Sequence, residues 1–374
     1  MHIAVNTKLL IKDRLEGIGW FEYETLSRIT RAHPEHKFYF IFDRKWDESF
    51  VFSDNVYPIR TFLPSRHPVL WYLRFHHILP RLVKKYNIDL YFSPDGYNLP
   101  LPARSVIALH DLNYVHFPGN MPPLVRWYYR KFFPAYARNA ERVVTVSEYS
   151  KRDIVRSYGI DPERIDVVYN GASTVFRPLD DAEKKAVREQ YASGKPYFIF
   201  VGALNPRKNL GRLLKAFESL CRDDETNMHL LIAGAPMFRN PFFRPDEAAP
   251  GLRERVSFLG RLSREELARV VGGARALVLP STFEGFGIPV IEAMHAEVPV
   301  ITSNVTSMPE VAGDAALLVD PYSVESIGQA LMRMAREPEL RRELIARGQT
   351  QRERFSWDKT ADLLWKSLEK ALPT

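Results

Sequence analysis

Residues 283–294 read FEGFGIPVIEAM, with Glu284 and Glu292 separated by seven residues around a Gly-x-Gly turn. The apolar run 276–279 just before it has the make-up of a buried parallel strand. Residues 289–295 just after it have the apolar pattern of a helix that starts near Ile288. A strand, a glycine turn and a helix N-terminus make an anion site, because backbone N–H groups and the helix dipole point at the same spot. Carboxylates bind hydroxyls rather than phosphate, and here two of them bracket that site. The pattern predicts a ligand with phosphates in the middle and polyhydroxylated groups at both ends, which describes a nucleotide sugar.

Two other readings of the pair stay open. One, for two glutamates taken alone, is Glu284 in a solvated loop and Glu292 on a solvated helix face. A glycosidase acid/base pair needs carboxyls roughly 5–9 Å apart across a sugar, and it leaves the glycine turn and the helix start unexplained.

The segment resembles the signature of the retaining glycosyltransferases of family 4, which have the two-domain GT-B fold. Further strings match in the family's order: TVSEYSK at 145–151, VVYNGAS at 167–173, VGALNPRKNL at 201–210, TSNVTSMPEVAGDAALLVDP at 302–321 and FSWDKTA at 355–361. The resemblance is closest to bacterial polysaccharide mannosyltransferases. It implies an α/β chain of two doubly wound Rossmann-like domains facing a central cleft. It also implies that Glu284 and the backbone N–H groups of Gly285, Phe286 and Gly287 hold the donor sugar. Arg207, Lys208 and the Ile288 N–H would hold the diphosphate, Glu292 the ribose, and the Leu262 backbone the base. Gly202 belongs to the same donor site; many relatives carry a basic residue right after it, where this chain has Ala203.

Strand-like and helix-like runs alternate along the whole chain, as parallel sheets flanked by helices require. Strand candidates in the first half lie at 2–6, 37–42, 88–92, 105–109, 142–146 and 165–168, with helices expected over 20–31, 70–86, 124–138 and 150–157. A second series has strands at 197–201, 229–233, 256–259, 276–279 and 298–301. Asn170-Gly171 and the polar segment 180–195 mark the boundary. The expected division is 1–178 for an acceptor-binding domain and 179–355 for the nucleotide-sugar domain. The amphipathic helix in 356–374 would return to the first domain. The proline-rich stretch 236–250 reads equally as a functional loop or a surface insertion.

The cations of Pro206-Arg207-Lys208-Asn209 follow the strand at 197–201 and open a helix. A leaving diphosphate gains charge as its bond to the sugar breaks, and fixed cations there lower the barrier. Their placement at a helix start opposes the dipole, which argues against a merely solvated pair. His110 ends the strand at 105–109; residues alone leave it between structural and functional, and the resemblance makes it functional, directed at the donor sugar. Gly17-Ile18-Gly19 lies too far from the first strand for a dinucleotide turn, and the resemblance makes it a flexible acceptor-side loop. The chain contains no Asp-x-Asp, no His-x-x-x-His pair and no Gly-x-Ser-x-Gly elbow. No cofactor and no metal are therefore expected, the diphosphate being neutralised by protein cations and a helix N-terminus.

The 374 residues, 45% hydrophobic and 26% charged, fit an ordinary globular composition. The single cysteine, Cys221, excludes an intrachain disulfide and points to a reducing compartment. The chain opens on HIAVN without a leader, so a soluble cytoplasmic protein is expected. Residues 1–178 hold 25 Lys and Arg against 18 Asp and Glu, whereas residues 179–374 hold 27 of each. All the excess positive charge lies in the first half, and no nucleic-acid-binding motif accompanies it. Cations mix with aromatics at 71–85 and 126–133, where core packing competes with a membrane-surface patch that brings the protein to a lipid-linked acceptor.

The expected function is hexose transfer from a nucleotide sugar, GDP-mannose first and a UDP-sugar such as UDP-glucose next. The acceptor would be a saccharide or lipid-linked saccharide hydroxyl in polysaccharide or lipopolysaccharide synthesis. The alternatives are a nucleotide-sugar epimerase or hydrolase on the same plan and a non-catalytic sugar-nucleotide-binding subunit.

Overall fold

The computed structural model describes residues 1–65, 67–100, 104–222, 226–235 and 250–372. Of the proline-rich stretch, 236–249 lies outside the described residues. The chain divides into two compact units, Met1–Asn170 with Trp357–Thr374, and Gly171–Ser356.

The first unit is built on seven parallel strands: β1 (His2–Asn6), β2 (Lys37–Phe42), β3 (Val56–Arg60), β4 (Leu90–Ser93), β5 (Ser105–Ala108), β6 (Arg142–Thr145) and β7 (Ile165–Val167). Their order across the sheet is β3-β2-β1-β4-β5-β6-β7. The second unit has six: β8 (Tyr197–Val201), β9 (His229–Ala233), β10 (Val256–Gly260), β11 (Ala276–Leu279), β12 (Val300–Ser303) and β13 (Ala316–Val319), ordered β10-β9-β8-β11-β12-β13. Both are doubly wound α/β sheets, as the alternation predicts. The central strands β4, β5, β8 and β11 are buried at every position, as strands covered by helices on both faces must be.

Three local features depart from the reading of the sequence. The helix expected over 70–86 is one run with a wide turn inside it: α-helical at Pro68–Leu73, π-helical at Arg74–Ile78 and α-helical again at Leu79–Lys85. The wide turn carries the fully buried Arg74, whose guanidinium donates to the Ile41 carbonyl at 3.1 Å and to the Thr61 hydroxyl. Gly17 and Gly19 are not in a loop, because the first helix runs Gly17–Ala32 and both occupy its first turn. Gly19 is buried there, and a Cβ on it would stand 3.2 Å from the Leu9 carbonyl oxygen, so close packing explains it. Strands β3 and β13 complete the sheets at their edges, at positions where the sequence suggests none.

The helix Trp357–Lys370 packs within the first unit. Trp365 stacks on the His33 ring at 3.7 Å between centroids, the Thr360 hydroxyl donates to the Tyr169 carbonyl at 2.7 Å, and Lys370 pairs with Asp166 at 2.8 Å.

Strand order reverses between β1 and β4 in one sheet and between β8 and β11 in the other. Loops leaving the two central strands there diverge to opposite faces and open a crevice at the carboxyl ends. In the second unit Asn209 ties that crevice together. Its buried amide donates to the carbonyls of Pro280 at 2.9 Å and Pro321 at 2.6 Å, and its backbone is left-handed at φ 62°. Asn209→Ala should destabilise the second unit by about 2–4 kcal/mol, from two stranded carbonyls and a strained backbone. Asn209→Gly, which loses the same two hydrogen bonds but suits the left-handed backbone, should cost less in denaturant unfolding; equal costs would make the backbone conformation irrelevant.

Candidate functional site

The loop after β8 carries Asn205-Pro206-Arg207-Lys208. Pro206–Lys208 is a 3₁₀ turn capped by the Asn205 side chain, and the following helix, Leu210–Arg222, starts only after Asn209. The two cations therefore precede the helix instead of opening it. The loop after β11 carries Ser281 to Gly287. The two loops are tied by Thr282, whose N–H donates to the Arg207 carbonyl at 2.7 Å.

Glu284 lies at the centre. One carboxylate oxygen accepts from Arg207 Nη1 at 2.8 Å and the other from Lys208 Nζ at 2.6 Å. Glu284 is 5% exposed and Lys208 7%. Burial alone would push the Glu284 carboxyl up, yet the charges of Arg207 and then Lys208 hold it down to about 2. Its Arg207 neighbour also donates to the Phe283 carbonyl at 2.8 Å. By resemblance these groups divide, cations to the phosphates and Glu284 to the sugar. The structure couples them in one ion triad with a net charge of one positive.

Two glycines shape the space around the triad. A Cβ on Gly202, at φ 144°, would come within 3.1 Å of Lys208 Cε, so the lysine lies in the room a side chain would take. Gly287, at φ 96°, is the N-cap of the helix Ile288–His295, and its own Cβ would meet Met308 Cε at 2.3 Å. No side chain caps that helix, and Pro289 lies in its first turn. Gly285 and Phe286 are buried between the two; the Phe286 ring stands edge-on to Phe355 at 5.5 Å. Ser307 and Thr306, not singled out from the sequence, hold this loop. The Ser307 hydroxyl donates to the Glu284 carbonyl at 2.9 Å, and the Glu284 N–H donates to the Thr306 hydroxyl at 3.3 Å. Both lie in the string at 302–321, and their spacing alone gives no signal of that role.

Glu292 sits one turn into the helix, half-buried, its carboxyl pushed by burial up to about 7. The half-buried Leu262 follows β10 in the turn before the helix Arg264–Gly272. The second unit thus gathers Gly202, Arg207, Lys208, Glu284 to Ile288 and Glu292 about the reversal point, whereas Leu262 follows β10, two strands out from β8.

In the first unit the same address is occupied differently. Lys8, just after β1, pairs with Asp95, just after β4, at 2.8 Å, and Lys8 Nζ lies 3.6 Å from the centre of the Tyr97 ring. Asn6 donates to Asp95 at 2.8 Å. His110 follows β5. Its Nε2 lies 2.9 Å from the Pro94 carbonyl, which can only accept, so the neutral ring carries its proton on Nε2 and offers Nδ1 as acceptor. Burial lowers the His110 pKa from its ordinary value, and Phe21 stands edge-on to the ring at 4.9 Å.

The profile of the group 1 glycosyl transferases matches residues 181–351, and that of glycosyltransferase family 4 matches residues 27–176. The O-antigen chain mannosyltransferase B of Escherichia coli is 31% identical over 93% of this chain and 94% of its own. The O-antigen chain mannosyltransferase RfbU of Salmonella typhimurium is 28% identical over 73% of this chain and 72% of its own. Among solved structures, Alr3699/HepE of Anabaena in complex with UDP-glucose superimposes with a TM-score of 0.77 at 15% identity, over 98% of this chain and 99% of that one. At that identity the likeness is one of fold.

The Glu292 carboxyl sets a pH dependence of stability. Its folded value lies above the ordinary 4.5, so the folded chain holds the proton more tightly than the unfolded one. The stability this gives is complete below about 4.5 and is lost as pH rises through about 7. Glu292→Gln should escape that loss, and be more stable than the parent at alkaline pH by up to about 3 kcal/mol. Near pH 4.5 the two should match. Thermal unfolding of both across this range is the measurement, and a difference independent of pH would overturn the assignment.

Proposed function

The chain belongs to the glycosyltransferases of group 1 and family 4, and from that membership we propose that it moves a hexose, mannose by preference, from a nucleoside-diphosphate sugar to a saccharide hydroxyl with retention at the anomeric carbon. The observation that carries the reading is the triad Arg207–Glu284–Lys208 at the reversal point of the second sheet, beside the uncapped N-terminus of the helix that bears Glu292.

In this reading Arg207 and Lys208 bind the diphosphate with the Ile288 N–H. Glu284, with the backbone of Gly285, Phe286 and Gly287, takes the sugar hydroxyls; Glu292 takes the ribose and the Leu262 backbone the base. The bond from the anomeric carbon to the phosphate oxygen breaks, and its electron pair stays on that oxygen. The acceptor oxygen bonds to the same carbon from the same face and gives its proton to the departing phosphate. The developing charge falls beside fixed cations, whose orientation needs no rearrangement during the step. Glu284 keeps those cations in place before the donor arrives. The first unit would supply the acceptor side, with His110 directed at the donor sugar through Nδ1. The O-antigen mannosyltransferases among the relatives favour mannose from GDP-mannose and a polysaccharide or lipid-linked saccharide acceptor. UDP-sugars come next.

Nucleotide release from a panel of donors, with and without acceptor sugars, tests the reading. Acceptor-dependent release supports transfer. Release or epimerisation that ignores acceptors favours the epimerase or hydrolase, and donor binding without turnover favours a non-catalytic subunit.

Lys208→Ala should lower turnover by roughly 10²-fold or more, the scale of one lost charge-assisted contact at a developing anion. It also strips a counter-ion from buried Glu284, so the unfolding midpoint should fall, and turnover must be compared well below that midpoint. Turnover near the parent's would remove Lys208 from the mechanism. Activity should persist in excess EDTA, since Arg207, Lys208 and a helix N-terminus supply the charge compensation. A loss that Mg²⁺ or Mn²⁺ reverses would show that a divalent ion does that work.

A further inference from the structure

Residues 55–88 and 112–140 together contain ten Lys and Arg and no Asp or Glu. In the first unit these stretches form the helical run over 68–85 and the helix Pro123–Asn139. The two pack side by side through their rings. Trp71 meets Tyr128 at 5.4 Å between centroids, Tyr72 meets Phe132 at 5.8 Å, and His76 Nε2 lies 3.1 Å from the Tyr136 hydroxyl. Core packing therefore accounts for the inward aromatics.

It does not account for the outward ones. Val69, Tyr72 and Leu73 on one helix and Leu124 and Trp127 on the other are 39–53% exposed. The strip continues from helix to helix, because Trp127 and Tyr72 both stand against the Phe132 ring, at 5.9 and 5.8 Å. Exposed cations lie on the same two helices: Lys131, its Nζ 5.1 Å from the Trp127 ring centre, then Arg130, Arg81, Lys84 and Lys85. A helix that faces only water carries both signs of charge on its outer face. Here the outer face is apolar and cationic, and Trp127 stands against Lys131 where the two kinds of surface meet.

We infer that the helical run 68–85 and the helix Pro123–Asn139 form a docking face for an anionic lipid bilayer. The apolar side chains enter the boundary between headgroups and acyl chains, and the cations pair with lipid phosphates. Among the described residues no helix is long and apolar enough to cross a membrane, so the contact is one of lying on the surface. A second copy of the chain is a poor occupant, because a two-fold contact would press this acid-free face against itself. The inference stands apart from the donor-site reading, since none of these side chains belongs to that site.

Sedimentation of the full chain with phosphatidylcholine vesicles, with and without phosphatidylglycerol, tests it. Binding should need the anionic lipid and should weaken in high salt. Arg130→Glu with Lys131→Glu, and separately Leu73→Ser with Trp127→Ser, should each lower the partition about tenfold or more. Both variants should stay folded and keep the parent's nucleoside diphosphate affinity, because all four positions are exposed and none is a donor residue. Equal binding to neutral and anionic vesicles, no binding at all, or parent-like partition of both variants would overturn the proposal. So would variants that change the oligomeric state and leave vesicle binding untouched.

Discussion

A carboxylate removed from water must find compensating charge, and Glu284 finds it in two places at once. The cost of burying an uncompensated carboxylate is many kcal/mol, so the loops after β8 and β11 cannot fold independently of each other. Thr282 binding the Arg207 carbonyl, Asn209 reaching Pro280 and Pro321, and Ser307 and Thr306 gripping the Glu284 backbone all keep that triad in register. Gly202 and Gly287 are glycine because the lysine and Met308 need the space. The helix Ile288–His295, and with it Glu292, is aimed by the same framework.

Much of this was legible in the chain, and what was not has identifiable reasons. Eleven of the strands announce themselves as short apolar runs followed by a turn or helix. β3 (VYPIR) does not, since Pro58 reads as a breaker and only an edge position tolerates it. β13 (ALLV) is short, and its partial exposure at the opposite edge weakens the pattern further. The wide turn at Arg74 is set by a guanidinium seeking Ile41 and Thr61, a tertiary demand with no local sign. Gly17 and Gly19 look like loop residues until the Leu9 carbonyl is placed against Gly19.

The candidate site divides the same way. Glu284, Glu292, Arg207 and Lys208 could each be picked from their neighbours in sequence. That the first touches the last two could not, because more than seventy residues separate them and only strand order brings them together. Glu292 also behaves unlike Glu284 for a reason no spacing reveals: one carboxyl is buried beside two cations and the other is half-buried without comparable help. Two glutamates on one motif are thereby held at opposite ends of the carboxyl range.

Counted outward from the reversal, the two sheets have one strand order, and each places a lysine after one central strand against an acid after the other. Lys8 with Asp95 occupies the address that Lys208 with Glu284 occupies in the second unit. The two addresses differ in loop length: Lys8 is the second residue past β1, and Lys208 the seventh past β8. The short connection sets its pair against the Tyr97 ring, while the long one has room for Arg207 beside Gly202, so one strand order serves an aromatic-covered ion pair in one unit and a three-membered ion cluster in the other.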